Sequence, residues 1–174
     1  SFGKVFKTFS PNPYERVFFG GTVILCITLL LGTTRYSGTG IEVIVSAIGG
    51  TARNTDFFWK MLFTAITLAC GYKGGEIIPS FFVGATFGCV IAPVLGLSSS
   101  LGAAIGMVSV FCGVTNCPIA SLLIALELFG KVPILYFLLA IAISYMLSGY
   151  YSLYKTQIIA VSKYKNEYVD KKTH

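Results

Sequence analysis

An all-α membrane protein, built of several tilted and broken transmembrane helices, is the fold class that this sequence predicts, and three observations predict it. The chain is 55% hydrophobic and only 11% charged, with a mean hydropathy of +0.77, which is too apolar for an ordinary soluble domain. Its apolar runs are short and interrupted: Pro93, Gly96, Ser98-Ser99-Ser100, Gly113, Pro118, Gly130 and Pro133 divide the second half. Its net charge of +6 gathers at the ends, with Lys4, Lys7 and Arg16 at the start and Lys155, Lys163, Lys165, Lys171 and Lys172 at the finish. Basic segments in those places flank lipid headgroups. Nucleic-acid binding is excluded, because a basic patch would have to be interleaved with aromatic residues and the tail offers Tyr164 and Tyr168 alone.

Taken in order, residues 1–12 form a polar lead-in, residues 13–147 a membrane-embedded unit, residues 148–168 a final helix and residues 169–174 a polar tail. No signal-peptide pattern opens the chain, and its abrupt start reads as that of a piece of a longer protein. Pro13 suits the first helical position and Glu15 the first turn of a helix that runs apolar over residues 17–32. Arg35 to Gly40 is a loop. Residues 41–48 follow as a short helix with Glu42 in its first turn, closed by Gly49-Gly50, and Asp56 caps the helix over residues 57–70. Four more apolar runs cover residues 80–97, 101–114, 119–129 and 132–147, with Thr115-Asn116 capping the helix after Pro118.

Short apolar segments that follow one another in this way are the mark of broken helices whose ends meet inside a membrane. Non-helical backbone survives there only when protein buries it or a wet cavity solvates it. That points to a transporter or channel, since an anchor or scaffold would need only intact spans. After Ser148-Gly149-Tyr150-Tyr151-Ser152, residues 153–168 read as an amphipathic, basic helix on the cytoplasmic side. The five cysteines sit almost wholly inside apolar runs without a histidine cluster, so no metal site, cofactor or catalytic nucleophile is expected.

Between the two halves lies Gly71-Tyr72-Lys73-Gly74-Gly75-Glu76-Ile77-Ile78-Pro79-Ser80, a glycine-rich break. Pro79 suits the first turn of the helix that continues through Gly88. Gly74 and Gly75 present no side chain to a ligand, which leaves the amide hydrogens of Glu76 and Ile77 free to point at one. A helix N-terminus of that kind favours an anion. A plain interhelical turn fits the glycine and proline spacing equally well.

These residues resemble the CLC family of chloride channels and proton-coupled antiporters. The glycine-x-phenylalanine-x-proline segment of that family is similar to Gly74-Gly75-Glu76-Ile77-Ile78-Pro79, and Ser10-Pro11-Asn12-Pro13-Tyr14 resembles the opening of its second repeat. Cys112-Gly113-Val114-Thr115-Asn116-Cys117-Pro118 with Ala125-Leu126-Glu127 resembles its penultimate helix pair, and Gly149-Tyr150-Tyr151-Ser152 the segment that carries an anion-coordinating tyrosine, here Tyr151. The resemblance implies the second half of a CLC-type inverted repeat, in a multi-pass protein of the bacterial inner membrane, homodimeric when full length. It also implies an extracellular N-terminus. The family's gating-glutamate and glycine-serine-glycine-isoleucine-proline motifs are absent, and both belong to the other repeat.

Glu76 resembles the fluoride-transporting branch, which commonly has threonine where this chain has Ile78. The implied function is halide transport, fluoride/proton antiport above all, with a chloride channel or chloride/proton antiporter as the alternative. Halide ions and protons would be the partners, with the lipid bilayer as the medium. A non-transporting membrane assembly subunit is the competing class. The amides of Glu76 and Ile77 with the Tyr151 hydroxyl would bind the ion, and a protonated Glu76 would donate to it. A helix-end glutamate bonded to Lys73, and an interfacial tyrosine among ten, are the ordinary alternatives. Glu127 is expected to find a helix-terminus partner, and Phe111, Ile119, Leu123 and Leu126 to serve packing or a dimer surface.

Overall fold

The computed structural model describes residues 12–72, 74–130, 133–154, 156–163, 165 and 167–173. Seven helices occupy the described chain: α1 (Pro13–Leu31), α2 (Ile41–Ile48), α3 (Asp56–Ala69), α4 (Ile77–Ile91), α5 (Ser99–Thr115), α6 (Pro118–Phe129) and α7 (Ile134–Leu147). A 3-10 turn, Ala92–Leu95, prolongs α4. By length and composition α1 and the stretch Ile77–Leu95 are long and apolar enough to cross a membrane, while α5, α6 and α7 are apolar but shorter.

The antiparallel hairpin of α4 and α5 is the axis of the fold. Glycines at a spacing of four let the two backbones close on each other, as small residues do between membrane helices: a methyl group on Gly84 would lie 2.5 Å from the Gly106 carbonyl oxygen. Gly88 faces Gly102 and Gly106 in the same way. Replacing Gly88 by valine therefore pushes directly on backbone, and overpacking of that kind costs about 1–3 kcal/mol or more. The expected result is a clear fall in the melting temperature of the solubilised protein, while Leu30→Ala, at a site 86% exposed on α1, leaves it nearly unchanged.

Two cores flank this hairpin. On one side Val43, Ile44 and Ala47 of α2, Phe63 of α3 and Tyr36 pack on Phe82, Ala85 and Cys89 of α4 and on Ala103 and Met107 of α5. On the other, Ala104, Val108 and Cys112 of α5 meet Ala125 of α6 and Phe137 and Ile141 of α7. Outward faces stay apolar, with Phe18, Leu29, Leu30, Ile119, Leu123 and Leu139 all exposed. Such a rim suits lipid or further protein.

Three local expectations are corrected. Among the described residues of 153–168 there is no helix: β1 (Ile158–Val161) pairs antiparallel with β2 (Tyr168–Lys172), Ile158 opposite Lys172 and Val161 opposite Tyr168. Ile158, Ile159 and Val161 are β-branched and stiff, which favours the pleated conformation over a helical turn. Asn116 does not cap the helix after Pro118. It closes α5 with φ 59°, and Cys117 occupies the N-cap of α6. Asp56 heads α3, yet its carboxylate makes no cap and turns back to Arg35, Tyr36 and the Arg53 amide.

Candidate functional site

Glu76 is the N-cap of α4, and its side chain makes no capping bond. The first backbone bond of the helix runs from the Ser80 amide to the Glu76 carbonyl at 3.1 Å. Helix geometry leaves the amides of Ile77 and Ile78 without an intrahelical acceptor, Pro79 has no N–H, and among the described residues no other backbone carbonyl receives from Glu76 or Ile77. Two exposed glycines precede them. A methyl group on Gly74 or Gly75 would meet nothing within 4 Å, so the approach to these amides is open. Glu76, Ile77, Ile78 and Pro79 are half-buried.

Gly74, Gly75 and Pro79 form one wall of a cavity of about 270 Å³ whose other walls include Tyr36, Gly38, Lys60 and Thr64. Lys60 is 2% exposed. Its ammonium donates to the carbonyls of Tyr36 at 3.1 Å and Gly38 at 2.6 Å and lies 5.1 Å from the Phe82 ring centroid. The neighbouring carboxylate, Asp56, is fully buried and committed elsewhere: Arg35 donates to it at 3.0 Å, the Tyr36 hydroxyl at 2.8 Å and the Arg53 amide at 3.2 Å. Together these bonds fix the loop between α1 and α2 against the cavity.

Tyr151 reaches the same end of the hairpin by a different route. Phe81 in the first turns of α4 packs at a tilt of 40° against Phe111 near the end of α5, ring centroids 5.0 Å apart, so the start of α4 and the finish of α5 lie side by side. Just past α5, the Asn116 side-chain amide donates to the carbonyls of Gly149 and Tyr151, each at 3.1 Å. Ser152 donates to the Thr115 carbonyl at 3.0 Å, and the Leu153 amide to that of Val114 at 2.9 Å. The Tyr151 ring is 74% exposed. Its backbone thus joins Gly75, Glu76 and Ile77 at one end of the hairpin, and among the described residues its hydroxyl makes no hydrogen bond to them.

Lys163, from the turn of the β-hairpin, completes this end. Its ammonium donates to Asn116 Oδ1 at 2.5 Å, to the Tyr145 carbonyl at 2.6 Å and to Ser148 Oγ at 3.1 Å. It also sits 3.8 Å from the Tyr145 ring centroid. Burial pushes this lysine below its ordinary range. Reading the sequence misses Lys60, Asn116 and Lys163 as members of the region. A lysine interrupting an apolar run is the signal that could have found Lys60; nothing local marks the other two, whose partnership spans 47 residues.

The remaining candidates are scattered. Glu127 is exposed on α6, and the helix-terminus partner expected for it is not among the described residues. Phe111 is buried in packing, while Ile119, Leu123 and Leu126 are exposed. Lys73, the proposed companion of Glu76, lies outside the described residues.

A family model described as voltage gated chloride channel matches residues 2–149. The chain is 37% identical over 170 residues to a chloride/fluoride channel protein of Pseudomonas syringae pv. tomato, covering 94% of this chain and 37% of that protein. It is 30% identical over 71 residues to an uncharacterized protein of Methanocaldococcus jannaschii, covering 41% of this chain and 18% of that one. Among solved structures it is similar to a CLC-type fluoride/proton antiporter, with a TM-score of 0.82 and 32% identity, covering 88% of this chain and 39% of the other. The chain spans well under half the length of each of these relatives.

Proposed function

The chain belongs to the voltage-gated chloride channel family, and from that premise we propose that it supplies the anion-holding amides of a halide transporter, a fluoride/proton antiporter by preference. The observation that carries the reading is the bare N-terminus of α4, where the amides of Ile77 and Ile78 have no helical acceptor behind two open glycines. Moving a halide into hydrocarbon has a Born cost on the order of 20 kcal/mol. Partial positive charges on amides offset that cost and still release the ion, which a fixed full charge would hold too tightly. In this reading Gly74, Ile78 and Pro79 shape the loop and the helix start, Gly75, Glu76 and Ile77 hold the ion with the Glu76 carboxyl as a further donor, and Tyr151 adds its hydroxyl. Fluoride, the strongest halide acceptor, gains most from such donors.

Support for fluoride comes from Glu76 and from two relatives, a chloride/fluoride channel protein and a CLC-type fluoride/proton antiporter. Ile78, in the place where that branch commonly has threonine, favours chloride as the second reading. The bacterial relative and the apolar outer faces support residence in a bacterial inner membrane. Ile119 and Leu123, 76% and 61% exposed on α6, are a fitting surface for a homodimer of the full-length protein.

The test is halide efflux from liposomes that contain the full-length protein, comparing fluoride with chloride under a pH gradient. The expected result is faster fluoride efflux that an inward proton gradient accelerates. Equal rates for the two ions would sink the fluoride preference, and no flux of either would sink the transport reading.

A further inference from the structure

We propose that Lys163, acting through Asn116, is a positioning residue for Tyr151, so that the carboxy-terminal β-hairpin sets the geometry of the anion site. This rests on the halide reading above and concerns how that site holds its tyrosine. Because the Tyr151 ring is 74% exposed, packing does not fix it; its place comes from its backbone. Beside the bonds that Ser152 and Leu153 make to the end of α5, two bonds hold the turn itself, and both come from one amide, Asn116 Nδ2 to the carbonyls of Gly149 and Tyr151.

Asn116 is well suited to this work. Among the described residues it is the non-glycine residue with positive φ, 59°, a conformation that asparagine tolerates better than most side chains. The side-chain amide has one acceptor and two donors. With Oδ1 occupied by the Lys163 ammonium, both Nδ2 hydrogens are turned to the Gly149–Tyr151 turn, and the flipped rotamer would set NH2 against NH3+.

The ammonium is itself held firmly. Asn116 is the C-cap of α5 and Ser148 that of α7, so Lys163 bridges two negative helix ends while its ring contact with Tyr145 adds cation–π attraction. The turn is tied a second time: the Lys163 amide donates to the Tyr150 hydroxyl at 3.3 Å, which lies 2.8 Å from Ser162 Oγ. Both Tyr151 and the hairpin lie past residue 149, where the family match ends.

Hydrogen exchange and flux in the reconstituted full-length protein test the proposal together. Lys163→Met and Asn116→Gly, the latter keeping the left-handed backbone while deleting the clamp, should both speed amide exchange over residues 149–153 and leave α4 unchanged. Each should also raise the fluoride concentration for half-maximal efflux about tenfold, the scale of one lost charge-assisted hydrogen bond, with maximal rate within about twofold. Lys163→Arg should restore most of the difference. In a Tyr151→Phe background Lys163→Met should add no further rise. Unchanged exchange over residues 149–153 in both variants would overturn the clamp, as would a Lys163→Met effect that persists undiminished without the tyrosine hydroxyl. A wild-type protein that moved no halide would defeat the transport reading, and the exchange result would still decide the clamp.

Discussion

Substituting Asp56 by alanine is expected to destabilise the protein by about 3–5 kcal/mol, the range for breaking a buried ion pair by removing one partner. Its carboxylate is fully buried and receives Arg35 Nη2, the Tyr36 hydroxyl and the Arg53 amide. Alanine leaves all three donors unanswered. Arg35 fares worst, because its Nε is already buried without a hydrogen-bond acceptor. For a domain of this size the loss corresponds to a fall in melting temperature on the order of 10 °C. Asp56→Asn, which keeps the shape and one acceptor, should fall between. A shift within a degree or two for alanine would contradict this account. The damage should also reach the site, since Tyr36 and Gly38 hold the Lys60 ammonium beside the cavity walled by Gly74 and Gly75.

The second large effect is on selectivity. Replacing Glu76 by alanine removes the carboxyl proposed as a donor and leaves the α4 amides in place, so ions that depend least on that donor should suffer least. A hydrogen bond to a charged group is worth about 1.5–3 kcal/mol, which corresponds to roughly a 10- to 150-fold loss of fluoride over chloride discrimination. Chloride efflux from liposomes should change only a few-fold. Tyr151→Phe should lower the rates of both ions, because a hydroxyl serves either halide. If Glu76→Ala preserved the fluoride to chloride ratio, Glu76 would be an ordinary helix-end residue, and the assembly-subunit reading would gain if Tyr151→Phe were silent as well.

Much of the helical framework was legible in the sequence because glycine and proline divide the apolar runs so regularly. Gly40 and Gly49 bracket α2 at Ile41–Ile48 as read, and Pro118 and Gly130 bracket α6. The α4 loop was legible for the same reason: glycines and a proline limit what backbone can form there. What could not be read depends on distance along the chain. Asp56 looked like a cap because a first-turn carboxylate usually is one, whereas its partners sit 20 and 21 residues earlier. Asn116 beside Pro118 looked like the start of a helix and proved to be the end of another.

The carboxy-terminal hairpin went unread for a different reason. A basic, amphipathic run of that length fits the helical period, and only the cluster Ile158-Ile159-Ala160-Val161 argues locally for a strand. The hairpin's turn then delivers Lys163 to two helix ends, a destination that depends on how α5 and α7 pack. Placement of Tyr151 follows from that packing too, so the sequence could nominate the tyrosine without saying what steadies it.

The central claim is that a dehydrated halide rests on the amide hydrogens at the start of α4. It is tested most directly by NMR of the full-length protein in a lipid bilayer, labelled with 15N-isoleucine and assigned by Ile77→Val. On titration with fluoride the Ile77 amide signal should move to a saturating limit, at lower concentration than with chloride, while that of Ile134 on α7 stays fixed. An Ile77 amide indifferent to both ions, in a preparation that still transports them, would contradict the account.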